Sequence, residues 1–225
     1  MSKKKLIHFQ ENLTFPHLFQ PGYNDLQMDF NLRSRWNNEF FRNQNPVVVE
    51  LGCGKGEYTV GLAAKYPEKN FIGIDLKGAR LWRGCKSVEE QKLKNAAFIR
   101  TRVDHLEKFF GPHEVDEIWI TFPDPQPGKA RKRLTSPFFL DKYSKILKDH
   151  GIIHLKTDNP DFFSYSLEII SEEKHNLLFA TEDIYHSGLM EDVRSIQTYY
   201  EKIWLEEEKK ICYMKFSLNL LNKAL

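Results

Sequence analysis

The sequence predicts an α/β fold built on one doubly wound, mostly parallel seven-stranded sheet. Three observations predict it. Short β-rich runs recur at 46–51, 70–76, 96–103, 115–121, 151–157, 177–185 and 211–218, and helical periodicity separates the first six, at 57–65, 78–93, 105–110, 136–148 and 161–174. Strand–helix–strand alternation implies right-handed crossovers and a parallel sheet with helices on both faces. Several runs, such as Val47-Val48-Val49 and Phe71-Ile72-Gly73-Ile74, are apolar throughout, as strands covered on both faces are.

Two further helices frame this alternation. Residues 198–210 read as a helix between the last two strands, and about 32–41, with Trp36 and Phe40, as one ahead of the first strand. Residues 1–45 are expected to form an N-terminal extension packed on a core of 46–225, one domain overall. The first dozen residues and the loop from about 125 to 134 are the segments expected to be flexible.

Composition narrows the function classes. With 225 residues, 41% of them hydrophobic, the chain can bury a core without staples. Cys53, Cys85 and Cys212 form no C-x-x-C pair, and the eight histidines are dispersed along the chain, so neither a disulfide framework nor a metal site is expected. No run has membrane-spanning length, and Leu6 to Phe9 is too short for a signal peptide; a soluble, cytoplasmic protein is expected. The net charge of +2 is small, but Lys129, Arg131, Lys132 and Arg133 crowd together after Phe122-Pro123-Asp124-Pro125. Such a run is either a solvated face or a phosphate contact.

In an open parallel sheet, ligands bind beyond the carboxyl ends of the strands, where strand order reverses. The first strand ends in Glu50-Leu51-Gly52-Cys53-Gly54-Lys55-Gly56, the second in Asp75, and the fourth in Pro123-Asp124-Pro125. Glycines at such a turn permit positive φ and close ligand approach. The spacing is G-x-G-x-G, not the G-x-G-x-x-G of a dinucleotide site, and Glu57 stands where the third glycine of that site would be. A carboxylate such as Glu50 repels a pyrophosphate but can hold an ammonium. Asp75 suits the ribose hydroxyls or a helix cap; Asp104, after the third strand, suits an adenine amino group or a helix start.

These motifs resemble the bacterial tRNA (guanine-N7)-methyltransferase family, class I S-adenosylmethionine-dependent methyltransferases with a Rossmann-like fold. The resemblance runs over nearly the whole chain, through residues 49–58, 71–75, 122–125, 133–140, 155–158 and 198–201. It implies 7-methylguanosine in the variable loop of tRNA as product, with S-adenosylmethionine as cofactor and tRNA as partner. Glu50, Gly52, Gly54, Gly56, Asp75, Asp104 and Asp124 are then the cofactor set, with Asp124 also at the reaction centre. Lys129, Asp158, Thr198, Tyr199, Tyr200 and Glu201 are the implied substrate contacts, and Arg131, Lys132 and Arg133 the phosphate contacts. The family's Asp-Pro-Trp is Asp124-Pro125-Gln126 here, so a platform for the guanine must come from elsewhere; Trp119, Phe122 and Tyr199 are the candidates. The family's loop lysine falls nearest to Lys129.

Other readings of the same residues remain open. Asn159 and Pro160 suit a helix cap and first turn, which frees Asp158. Thr198-x-x-Glu201 is also a capping box, and both roles are compatible. The rival activities are methylation of an amino group in another RNA, a protein or a small molecule; a non-catalytic RNA-binding subunit; and a nicotinamide dehydrogenase. Amino-group enzymes often carry N/D-P-P-aromatic after the fourth strand, which Pro123-Asp124-Pro125-Gln126 lacks. Whether the chain acts as a monomer or a homodimer is not encoded in these motifs.

Overall fold

A computed structural model describes residues 3–22, 25–188 and 191–219. The chain begins with helix α1 (Lys3–Glu11), a two-residue strand β1 (Leu18–Phe19) and a π-helix (Trp36–Phe41). Strands and helices then alternate: β2 (Val47–Leu51), α2 (Glu57–Lys65), β3 (Asn70–Asp75), α3 (Gly78–Gln91), β4 (Ala96–Arg100), α4 (Leu106–Phe109), β5 (Val115–Thr121), α5 (Pro137–Ser144), β6 (Leu147–Thr157) and α6 (Pro160–Glu172). The last elements are β7 (Asn176–Thr181), α7 (Glu191–Ser195), α8 (Tyr199–Glu206) and β8 (Cys212–Ser217). No helix among the described residues is long and apolar enough to cross a membrane.

The sheet order is β1-β4-β3-β2-β5-β6-β8-β7. β8 runs antiparallel to both β6 and β7, and the other pairings are parallel. The eighth strand is the short β1, which extends the expected sheet beyond β4. Alternate residues of β2 feed opposite faces: Val47, Val49 and Leu51 join one core cluster and Val48 the other. Both faces are therefore covered, which explains why the strand has no polar alternation.

Three local expectations change. Lys3–Glu11 is a helix held on α3, with His8 stacked on Trp82 at 3.8 Å and Asn12 Nδ2 donating to Gly78 O at 2.8 Å. The helix expected ahead of β2 is the wider π form, with Trp36 fully buried and its Nε1 donating to Phe109 O at 2.9 Å. Helix α5 stops at Ser144 rather than Lys148, because Ile146 and Leu147 turn into the core. The β5–β6 register then jumps from Val115 opposite Leu147 to Glu117 opposite Ile152, leaving an exposed bulge at 148–150.

Candidate active site

β2 lies between β3 and β5 in the sheet, and strand order reverses around it. A cavity of about 1030 Å³ opens there, at the carboxyl ends of the strands; Gly52, Asp75, Asp104, Phe122, Asp124 and Lys129 are among its lining residues.

The glycine turn after β2 is built from three left-handed residues, Gly52, Gly54 and Gly56, with φ of +70°, +57° and +71°. Side chains with a Cβ disfavour that conformation. The three positions differ in what surrounds them. A Cβ on Gly56 would sit 2.6 Å from the Phe98 ring, so this glycine serves packing. A Cβ on Gly52 or Gly54 would meet nothing within 4 Å, so their bare backbone faces open space. Asp75 fastens the turn: its Oδ2 accepts from Gly54 N at 2.9 Å and its Oδ1 from Lys77 N at 2.7 Å. Each carboxylate oxygen keeps further acceptor capacity.

Glu50 is 4% exposed and lies beneath the turn. Its Oε2 accepts from Thr59 N at 2.8 Å and from Thr59 Oγ1 at 2.5 Å, while its Oε1 accepts from Thr121 Oγ1 at 2.5 Å. Burial pushes its pKa up to about 7 against the pull of these hydrogen bonds. A cation arriving nearby would favour the ionised form.

Across the cavity, the chain leaves β5 through Phe122, whose N donates to Lys156 O at 2.8 Å and whose φ is +48°. Asp124 follows, exposed, with Oδ1 accepting from Gln126 N at 3.0 Å. Pro123 and Pro125 restrict the backbone on either side. Asp104 sits inside a 3₁₀ turn, Val103–His105, rather than at its cap, and accepts from Arg102 Nε at 3.3 Å.

The basic loop after Asp124 divides. Lys129, Arg131 and Lys132 are exposed on the cavity rim. Arg133, expected as a phosphate contact, is instead half-buried. Its Nε donates to Pro125 O at 3.1 Å and its guanidinium lies 4.4 Å from the Tyr165 ring centroid. Those contacts hold the loop.

The remaining expected substrate residues separate in the same way. Asn159 caps α6 by accepting from Phe162 N at 2.7 Å, with Pro160 at the first turn. Asp158 is thus free of the cap, but it is half-buried and does not line the cavity; burial raises its pKa. Thr198 and Glu201 form the capping box of α8. Glu201, expected as a substrate contact, is fully buried, with Oε1 2.6 Å from Lys156 Nζ and accepting from Tyr185 OH at 2.7 Å. In this structure it faces the interior, because the Lys156 ammonium must be matched there. Tyr199 and Tyr200 are both about half exposed.

Of the three platform candidates, Trp119 is 5% exposed and stacks on His154 at 3.9 Å, inside the core. Burial lowers the His154 pKa to about 3, so this stack is neutral. Phe122 does line the cavity, and its ring lies 4.9 Å from Trp204, which stacks with Tyr200 at 6.0 Å. An aromatic strip therefore runs from α8 to the cavity wall. Trp204 and Lys156 were missed by motif reading. Trp204 follows Tyr200 by one helical turn, and Lys156 is the one lysine in the mostly buried stretch 151–157; each is a usable signal.

Comparison with known proteins identifies the family and the fold. Residues 44–214 match the model of a family described as putative methyltransferase. The tRNA (guanine-N(7)-)-methyltransferase of Bacteroides fragilis (strain YCH46) is 48% identical over 97% of this chain and 87% of its own length. That of Christiangramia forsetii is 48% identical over 96% of this chain and 99% of its own. Among solved structures, the 16S rRNA methyltransferase KamB superposes with a TM-score of 0.63 at 15% identity, over 83% of this chain and 94% of that one. At that identity the match speaks for the fold. The relatives, nearly half identical along nearly their full length, establish more: this chain belongs to the tRNA (guanine-N(7)-)-methyltransferase family.

Proposed function

We propose that this protein uses S-adenosylmethionine to methylate N7 of a guanine in the variable loop of tRNA, giving 7-methylguanosine. The observation that carries the reading is the pairing, across one cavity, of the open-faced glycine turn with the stiffened Asp124. The cofactor fits the residues present. Gly52 and Gly54 leave a cradle that a Cβ would fill. Asp75 and Asp104 offer acceptors for ribose and adenine, and the buried Glu50 offers negative charge near the amino-acid end. Bound S-adenosylmethionine supplies an electrophilic methyl group on a sulfonium sulfur.

The protein's own residues then have an alignment task. Guanine N7 carries a lone pair and no proton at neutral pH, so no residue must act as general base on it. Holding N7 in line with the methyl carbon supplies much of the acceleration. Phe122, Tyr199 and Tyr200 offer apolar faces for a base drawn out of its loop. Asp124 orients the guanine and stabilises the positive charge that develops on its imidazole ring. Asp158 and Thr198 would position the base's surroundings, while Lys129, Arg131 and Lys132 hold phosphates without reading sequence. This activity places the protein in the cytoplasm, with tRNA as partner.

Incubation with methyl-labelled S-adenosylmethionine and bulk tRNA, followed by nucleoside analysis, tests the reading. Label is expected in 7-methylguanosine. Label in another nucleoside, or none in tRNA, would remove it.

A further inference from the structure

The cavity is zoned by charge. Asp75, Asp104 and Asp124 lie along it, and cations lie on two separate parts of its wall. One group is the loop after β5, with Lys129, Arg131 and Lys132. The other follows β3 and β4: Lys77, Arg80 and Arg102. Since β2 separates β3 and β4 from β5 in the sheet, the two groups flank the glycine turn on opposite sides.

Ion pairing sets the second group apart from its neighbours. Along α3, Arg83 pairs with Glu90 at 2.5 Å and Lys86 with Glu89 at 3.4 Å. Lys77 and Arg80, at the end of the same helix that meets the cavity, are exposed and have no ion-pair partner among the described residues. Arg102 is tethered to Asp104 at 3.3 Å. The positive end of the α3 dipole adds to the same potential. Exposed, unneutralised cations that border a site favour an anion there. The acids inside would repel phosphate, so an anion belongs on the rim.

We infer that Lys77 and Arg80 form a second phosphate-binding lip, on the far side of the cavity from Lys129–Lys132, for the tRNA backbone. This rests on the proposed tRNA reading and extends it. With one lip on each flank, the backbone is held on both sides of the cavity while a base enters between. The lips contribute affinity and register, not base choice.

The test is tRNA binding by Lys77→Gln/Arg80→Gln across a salt series, beside Arg83→Gln/Lys86→Gln as a control with the same charge loss. Each lost phosphate contact should flatten the log–log salt slope by about 0.7–0.9. The lip variant is expected to lose roughly two such steps, with S-adenosylhomocysteine affinity unchanged by calorimetry, while the control keeps the wild-type slope. A slope unchanged in the lip variant, or lowered equally in the control, overturns the inference. So does a loss of S-adenosylhomocysteine affinity without a slope change, which would assign these cations to the cofactor. If wild-type protein neither binds nor methylates tRNA, the underlying reading fails. If wild type does both and only the lip variant's slope stays unchanged, the lip alone fails.

Discussion

The Lys156 ammonium lies 2.6 Å from the Glu201 carboxylate, and neither side chain has any exposure. Lys156 also donates to Val193 O at 2.8 Å, and its own carbonyl accepts from Phe122 N at 2.8 Å. Burial pulls the lysine's pKa down while Glu201 draws it back up. One pair thus ties three segments together: the start of α8 with Tyr199 and Tyr200, the chain entering Pro123-Asp124, and the end of β6 before Asp158. Residues far apart in sequence hold a common position because a buried charge must stay with its partner.

Lys156→Met would leave the Glu201 carboxylate buried and unpaired, and is expected to cost about 3–5 kcal/mol of stability. Lys156→Met/Glu201→Gln keeps the shape and the hydrogen-bond acceptor for Tyr185, so it should recover most of that loss. Urea denaturation of both variants measures the difference. A double variant no more stable than the single one would show that the pair is not coupled.

Glu50 gives a pH-dependent stability with a defined sign. Its folded pKa of about 7 lies above the ordinary 4.5, so the native state binds the extra proton. Its contribution to stability is therefore present below pH 4.5, declines as pH rises to about 7, and stays lost above that. The full decline is on the order of 3 kcal/mol. Glu50→Gln should be more stable than wild type at pH 8 without cofactor, with the gap closing towards pH 5. It should also bind S-adenosylmethionine more weakly, by roughly 1.5–3 kcal/mol. Calorimetry showing unchanged affinity would take Glu50 away from the cofactor.

What the sequence made legible, and what it hid, divides along the range of the interaction. The glycine turn, the Asn159 cap and the capping box of α8 are local, and each stands where its motif placed it. The seven main strands followed from short β-rich runs, several of them apolar throughout. β1 is only Leu18–Phe19 and exists through its pairing with β4, so no periodicity could mark it. The fates of Trp119, Arg133 and Glu201 depended on distant partners, namely His154, Tyr165 and Lys156. A motif names such a residue without saying which way it faces. Lys156 was the available clue, since a lysine within Ile152-Ile153-His154-Leu155 and Thr157 needs a buried counter-charge.

The basic loop should separate by function. Arg131→Gln/Lys132→Gln is expected to weaken binding of different tRNAs alike and to flatten the salt slope by about 0.7–0.9 per contact. Arg133→Gln should instead loosen the loop, because it loses the Pro125 carbonyl and the Tyr165 face. Faster proteolysis after Lys129 with a near-normal salt slope is the expected signature. A full slope change in Arg133→Gln would return that residue to the phosphate contacts.

Asp124 should matter for turnover more than for cofactor affinity. Its carboxylate is exposed to the cavity, its backbone lies between two prolines, and one oxygen is already oriented by Gln126 N. Because N7 gives up no proton, Asp124 has no base to serve as; its contribution is orientation and charge. Losing one such preorganised group typically costs about 10²–10³ in rate. Asp124→Asn keeps the shape and an acceptor oxygen while removing the charge, so it separates the two contributions. A full loss in that variant assigns the effect to charge, and a partial one assigns a share to orientation. Single-turnover methylation with saturating cofactor and tRNA isolates the chemical step from binding and product release. Wild-type rates in Asp124→Ala under those conditions would move the reaction centre elsewhere along the cavity, with the carboxylates of Asp75 and Asp104 the next to test.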